Sequence, residues 1–193
     1  YERPMWFALD GEKAEYEYSY NFQSWYPSAE YETNNTIKNV GLFDLTPFSK
    51  FEIKSDTVHK ELQKICTANI KNEPGKCVYT HMLNPDGGIE TDLTVVCIEK
   101  NHFRIISSAA TRERDKFHIK KYLSKGVELK DVTDDLCVFG LFGPKSRDLI
   151  KTISKDDFED DRFKFGTAKY ITIDNVKIWT QRLSYVGELG FEL

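Results

Sequence analysis

The stretch that most constrains this chain is Asp86-Gly87-Gly88 followed by Ile89-Glu90-Thr91-Asp92-Leu93-Thr94-Val95. Asp-Gly-Gly accepts left-handed backbone at little cost, so it reads as a tight turn. The strand it launches alternates. Ile89, Thr91, Leu93, Val95 and Cys97 share one face, and Glu90, Asp92, Thr94, Val96 and Ile98 share the other. A carboxylate in so apolar a strand is expensive if its face is buried. Asp92 is therefore either on a solvated face, in a salt bridge, or turned toward a ligand, and alternation alone leaves these open.

The neighbouring sequence builds outward from this turn. Cys77–Leu83, Ile89–Ile98 and Phe103–Ser107 are expected as a three-strand meander joined at Asn84–Gly88 and Lys100-Asn101-His102. A short strand carries Phe51 and Ile53. A helix follows it, capped by Ser55 or Asp56, with Val58, Leu62 and Ile65 at i, i+4, i+7. Thr111–Lys125 is expected helical, with Phe117, Tyr122 and Leu123 as its apolar contacts and Gly126 as its stop. Strands are expected at Val127–Val132 and Leu136–Leu141, and Gly143-Pro144 opens another helix with Leu149, Ile150 and Ile153 inward. Phe163–Ile173 and Val176–Tyr185 form a hairpin around Asp174-Asn175, and the acidic run Asp156–Asp161 reads as a solvated loop. The glycines of Arg182–Leu193 bend the chain between two strand-like halves. The pattern is α+β, with mainly antiparallel sheets and flanking helices.

Residues 1–31 hold ten aromatic side chains, from Tyr1 and Trp6 to Tyr31, without a clean period. They are expected to be irregular and packed, or else to wall a planar ligand. The net charge of −4 argues against a nucleic-acid or membrane-surface partner, and no run approaches the ~18 apolar residues of a membrane span. The four cysteines, Cys66, Cys77, Cys97 and Cys137, show no CxxC spacing, so they read as buried free thiols in a reducing compartment and no metal site is expected. The four histidines are scattered and read as structural. No dinucleotide fingerprint, P-loop, HExxH or GxSxG is present. The chain opens without Met or an apolar leader and stops inside an alternating strand pattern, so it is expected to be a fragment of a longer protein.

Three segments, in order, resemble the folate-binding aminomethyltransferase family typified by the glycine cleavage T-protein. They are Val40–Phe48, Gly87–Val95 and Arg182–Glu192. The opening Tyr1-Glu2-Arg3-Pro4-Met5-Trp6-Phe7 and the Gly143–Arg147 stretch resemble in particular the C-terminal folate domain of dimethylglycine and sarcosine dehydrogenases. The resemblance implies a T-protein-like fold cut before its C-terminal barrel. It implies a discontinuous folate-binding domain of residues 1–47 plus 139–193, and a ferredoxin-like α+β domain of residues 48–138 inserted in it. It puts Asp92 at the family's catalytic carboxylate, and Glu192 and Tyr185 at pterin contacts. Ser108 stands where the T-protein has an asparagine, and Thr91 replaces an acidic residue.

The implied activity is tetrahydrofolate-dependent one-carbon transfer, with the carbon of an oxidised N-methyl amine or aminomethyl donor captured as 5,10-methylenetetrahydrofolate. FAD is implied only if an upstream domain exists, and a flavin domain or a lipoyl carrier protein is the implied partner. The compartment would be cytoplasmic, or the mitochondrial matrix in a eukaryote. Two rival readings are a folate-binding or regulatory module without transfer chemistry, and a methyltransferase that uses another donor.

Overall fold

The structure is a computed structural model and describes residues 4–193. It holds two five-stranded antiparallel sheets and four α-helices. In chain order the elements are α1 (Tyr26–Lys38), β1 (Gly41–Asp44), β2 (Ser49–Lys54), α2 (Val58–Ile65), β3 (Cys77–Leu83), β4 (Ile89–Glu99) and β5 (His102–Ser107). A 3₁₀ turn at Ala109–Thr111 leads into α3 (Arg112–Tyr122). Then come β6 (Leu129–Asp131), β7 (Phe139–Phe142), α4 (Ser146–Ile153), β8 (Thr167–Ile173), β9 (Val176–Arg182) and β10 (Gly190–Glu192). The first sheet runs β1-β7-β10-β9-β8 and the second β3-β4-β5-β2-β6.

The alternation of β4 sets the second sheet. Leu93, Val95 and Cys97 enter a core with Phe51, Ile53, Phe103 and Ile105, which α2 closes with Val58, Leu62 and Ile65 at their expected spacing. Asp92 and Thr94 face the other way. The smaller core of the first sheet joins Leu141, Ile150, Phe158, Phe163, Ile171 and Phe191. Phe158 comes from the acidic Asp156–Asp161 stretch, which is more than a solvated loop: Asp156 Oδ2 accepts the Thr172 N–H at 2.7 Å, and Asp160 binds Arg147 and Arg182. The hairpin turn at Asp174 (φ 46°) and Asn175 (φ 68°) is left-handed at both residues, as a two-residue type I′ hairpin loop requires.

Several expectations fail for identifiable reasons. Helix α3 stops at Tyr122, where Leu123 is already extended, and does not run on to Lys125. Phe117 points outward at 74% exposed, while Asp115 and Ile119 are buried. Those two lie four residues apart on one face, and Phe117 falls midway between them on the opposite face. Of the three residues expected inward on α4 only Ile150 is buried; Leu149 and Ile153 are exposed, because the inward face is shared by Ser146 and Ile150. Thr57, not Ser55 or Asp56, is the cap position of α2, although Ser55 Oγ accepts the Thr57 N–H at 3.3 Å. Strand β6 is shorter than Val127–Val132, and β7 begins at Phe139 instead of Leu136.

The aromatic N-terminal stretch is also different from expectation. Phe7, Tyr18, Tyr20, Phe22 and Tyr31 are exposed, and Tyr1 lies outside the described residues. Helix α1 begins within it, with Pro27 in the first turn where a missing N–H does no harm. All four thiols are free, but Cys137 is exposed and Cys77 only half-buried.

Candidate functional site

A cavity of about 340 Å³ lies between the two sheets. Strand β4 contributes Asp92, Leu93 and Thr94, and the end of β5 contributes Ile106, Ser107 and Ser108. The first sheet contributes Phe43, Phe142 and Glu192, the β9–β10 loop Tyr185 and Val186, and the chain between β1 and β2 adds Leu45 and Phe48. Asp92, Ser108, Tyr185 and Glu192, the four candidate residues of the sequence, thus line one cavity although they span a hundred residues of chain.

The four are not equivalent. Asp92 is exposed, and its Oδ2 accepts the Tyr79 hydroxyl at 3.0 Å. Glu192 is 7% exposed, and its Oε2 accepts the Gln181 amide at 2.9 Å. Burial pushes the Glu192 carboxyl up to about 7, while the Gln181 bond pulls the other way. Tyr185 shares a 2.8 Å hydrogen bond with Thr94 Oγ1, which joins the β9–β10 loop to the second sheet. Ser108 caps the 3₁₀ turn: its Oγ accepts the Ala110 N–H at 3.3 Å, and its carbonyl accepts from Ser49 Oγ at 3.0 Å. Beside it, the buried Ser107 hydroxyl has no partner among the described residues.

The walls are aromatic and tightly seated. Phe142 and Phe43 sit with ring centroids 5.5 Å apart. The Phe142 ring lies against two backbone positions that only glycine can fill. A Cβ on Gly190 would come within 2.2 Å of this ring, and one on Gly140 within 2.4 Å. The register makes this necessary, since Gly190 pairs with Phe142 across β10 and β7. Gly187, at φ 78°, turns the loop that carries Tyr185 and Val186.

Chemically, the arrangement offers a flat apolar slot with a solvated carboxylate at one place and a buried, proton-sensitive carboxyl at another. A planar heterocycle with adjacent N–H donors fits the buried carboxyl, because one carboxylate accepts two such donors. Among the described residues, no group of three or more His, Cys, Asp or Glu side chains could hold a metal ion. No described helix is long and apolar enough to cross a membrane. The sequence reading did not single out Tyr79, Thr94 or Gln181. Thr94 was legible on the face shared with Asp92, but the reach of Tyr79 and Gln181 depends on strand register.

Comparison with known proteins adds an independent line. A family profile described as the GCVT N-terminal domain matches residues 1–193. The chain is 33% identical over 193 residues to 4-methylaminobutanoate oxidase (formaldehyde-forming) of Paenarthrobacter nicotinovorans, covering 100% of this chain and 23% of that protein. It is 33% identical over 196 residues to mitochondrial dimethylglycine dehydrogenase of Rattus norvegicus, with the same coverage. The chain thus spans about a quarter of these relatives. In solved structures it resembles the glycine cleavage system aminomethyltransferase T from Bartonella henselae. The TM-score is 0.73 at 18% identity, over 93% of this chain and 49% of that one, a likeness of fold.

Proposed function

The chain belongs to the GCVT N-terminal domain family, and on that premise we propose that its cleft binds tetrahydrofolate and supports one-carbon transfer. The carbon comes from an oxidised N-methyl amine or an aminomethyl donor, and the product is 5,10-methylenetetrahydrofolate. One observation carries this reading: an exposed carboxylate and a buried carboxyl, from different sheets, line the same aromatic-walled cavity.

The residues present fit a reduced pterin. The cavity lies at the small end of the ~300–1,000 Å³ range of small-molecule sites. Phe43, Phe48 and Phe142 supply flat walls. Glu192 has a single side-chain partner among the described residues, which leaves acceptor capacity for ring N–H groups. Tetrahydrofolate, when bound, supplies the N5 and N10 amines that accept the carbon. Glu192 orients the ring and is held ionised by the donors it receives. Tyr185 closes the slot from the β9–β10 loop, and Ser108 borders it from the end of β5. Asp92 stabilises positive charge at the reacting carbon and takes up the proton released as the amine attacks.

The same reading divides the chain into a discontinuous domain of residues 1–47 and 139–193 and an inserted ferredoxin-like domain of residues 48–138. The strand order supports this division, because β2–β6 form one sheet and β1 with β7–β10 the other. The methylated-amine substrate, a flavin domain carrying FAD or a lipoyl carrier as its source, and a cytoplasmic or mitochondrial-matrix setting belong to the same proposal. Two relatives carry support in their names, one as a dehydrogenase of dimethylglycine and one as an oxidase of 4-methylaminobutanoate.

Calorimetric titration of tetrahydrofolate into the full-length protein tests the proposal. One saturable site, weakened in Glu192→Gln, is expected. A folded protein that shows no binding, or an Asp92→Asn variant that transfers carbon at the normal rate, would overturn it. A product of 5-methyltetrahydrofolate would mark the donor as a methyl donor.

A further inference from the structure

A second cavity, of about 220 Å³, adjoins the first and shares Ile106, Val138 and Glu192 with it. Strand alternation builds it. Phe51 and Ile53 on β2, with Phe103 and Ile105 on β5, take the core side of the second sheet. Lys50, Arg104 and Ile106 therefore fall on its other face and line this cavity. From the first sheet, Lys177, Trp179 and Gln181 line it at every second residue of β9.

Lys50 is the anomaly. It is 1% exposed, and no carboxylate among the described residues pairs with it. Its ammonium donates to the Thr46 and Phe48 carbonyls at 2.7 and 2.9 Å, which leaves one of three donors unused. Arg104 differs: Glu52 takes its Nε and Nη2 at 3.0 and 2.6 Å. Burial draws the Lys50 ammonium below the usual lysine range. Arg104 and Arg112 push the same way, against Cys137 and Asp134. A buried charge without a counter-ion is costly, and an anion in the cavity removes that cost.

The walls select among anions. Leu136, Ile178, Leu193 and the Trp179 ring offer apolar surface beside the charge. The Trp179 Nε1–H is buried without a partner among the described residues. With one unpaired cation, a dianion stays half-compensated, and the neighbouring Glu192 carboxyl opposes it further. A monoanion with a short apolar body matches both the charge and the walls. The volume lies below the ~300–1,000 Å³ of drug-sized sites, so the occupant is small.

We propose that this second cavity binds a short aliphatic carboxylate, with the Lys50 ammonium as its counter-ion and Trp179 as its wall. The site is separate from the folate reading of the first cavity and does not depend on it.

The test uses the full-length protein without folate, and 13C-labelled butyrate as the probe. Binding is read by ligand-observed NMR, with sulfate at equal ionic strength as the competitor. One saturable site is expected, weakened about tenfold or more in Lys50→Met, the scale of a lost hydrogen bond to a charged group. Sulfate should not displace butyrate. Cys137, an exposed thiol that also lines the cavity, gives a second readout in the wild type. Saturating butyrate should slow its alkylation by iodoacetamide about twofold or more, followed by mass spectrometry of the Cys137 peptide. That readout stands even if Lys50→Met does not fold. No saturable binding, or a folded Lys50→Met that binds as the wild type does, would overturn the proposal. So would unchanged alkylation of Cys137, which puts the butyrate elsewhere. Equal binding of sulfate marks a general anion site, and the carboxylate assignment falls.

Discussion

The two carboxyl groups of the cleft, Asp92 and Glu192, are made by opposite means. Asp92 sits on the outer face of a long central strand, exposed, with a single phenol for support. Glu192 sits in a three-residue strand between β7 and β9, nearly inaccessible, with a single amide for support. A solvated carboxylate takes little from the fold and stays open to whatever approaches. A buried one is charged only against its desolvation, so it discriminates strongly for a partner that brings its own donors. On the proposed reading, reaction and recognition are thereby assigned to separate sheets.

The strongest test of that separation is a paired substitution. Asp92→Asn should cut transfer about 10²–10⁴-fold while affinity changes by less than about threefold. Glu192→Gln should weaken tetrahydrofolate binding about 10–100-fold, as loss of hydrogen bonds to a charged group does. Single-turnover rates and calorimetry read the two effects separately; if both variants lose binding alone, the division of labour is wrong.

The second effect is the stability–pH dependence that Glu192 contributes. Its carboxyl stands at about 7 in the fold, above its ordinary 4.5, so the folded state holds the proton more tightly than the unfolded chain. Its contribution is fully present below about 4.5 and is lost as pH rises to about 7, on the order of 3 kcal/mol. Glu192→Gln should remove that fall and be the more stable protein at pH 8 in urea titrations. Asp92→Asn, exposed, should move stability by less than about 0.5 kcal/mol. Bound tetrahydrofolate should show the reverse pH trend, with affinity declining as pH drops below about 7.

A smaller effect concerns the wall. Gly190→Ala forces a Cβ against the Phe142 ring and should destabilise by about 1–3 kcal/mol, read by thermal unfolding. Smaller than the wall substitution is Tyr185→Phe, which loses the Thr94 bond and should cost about 0.5–1.5 kcal/mol.

Much of this was legible in the sequence where a period of two met a turn. The β3–β5 meander, the Asp174-Asn175 hairpin and the face of Asp92 follow from alternation and from residues that tolerate left-handed backbone. What was hidden lacked a periodic signal. Helix α1 buries only Ser28 and Thr36 among its residues, so no apolar stripe announces it. In α3 a buried carboxylate, Asp115, which accepts hydroxyls from Thr91 and Thr111, outweighs Phe117 in fixing the inward face. The Tyr79–Asp92 bond requires the register of β3 on β4, which a bulge shifts between Met82 and Leu83. A slip of one residue would have turned Tyr79 to the other side. Alternation singled out Asp92, but its role, and the choice of Ser108, Tyr185 and Glu192, came through family resemblance and not through period. Their meeting in one cavity depends on how two sheets pack, and local patterns carry no trace of that.

That packing has a mechanical side. With Asp92 and Glu192 on different sheets, the gap between them works as the jaws of a caliper, set by sheet-to-sheet contact and not by covalent chain. A rigid ligand touching both jaws is gauged for length as well as for chemistry. Once seated, it acts as a strut across the molecule, resisting any slide of one sheet over the other.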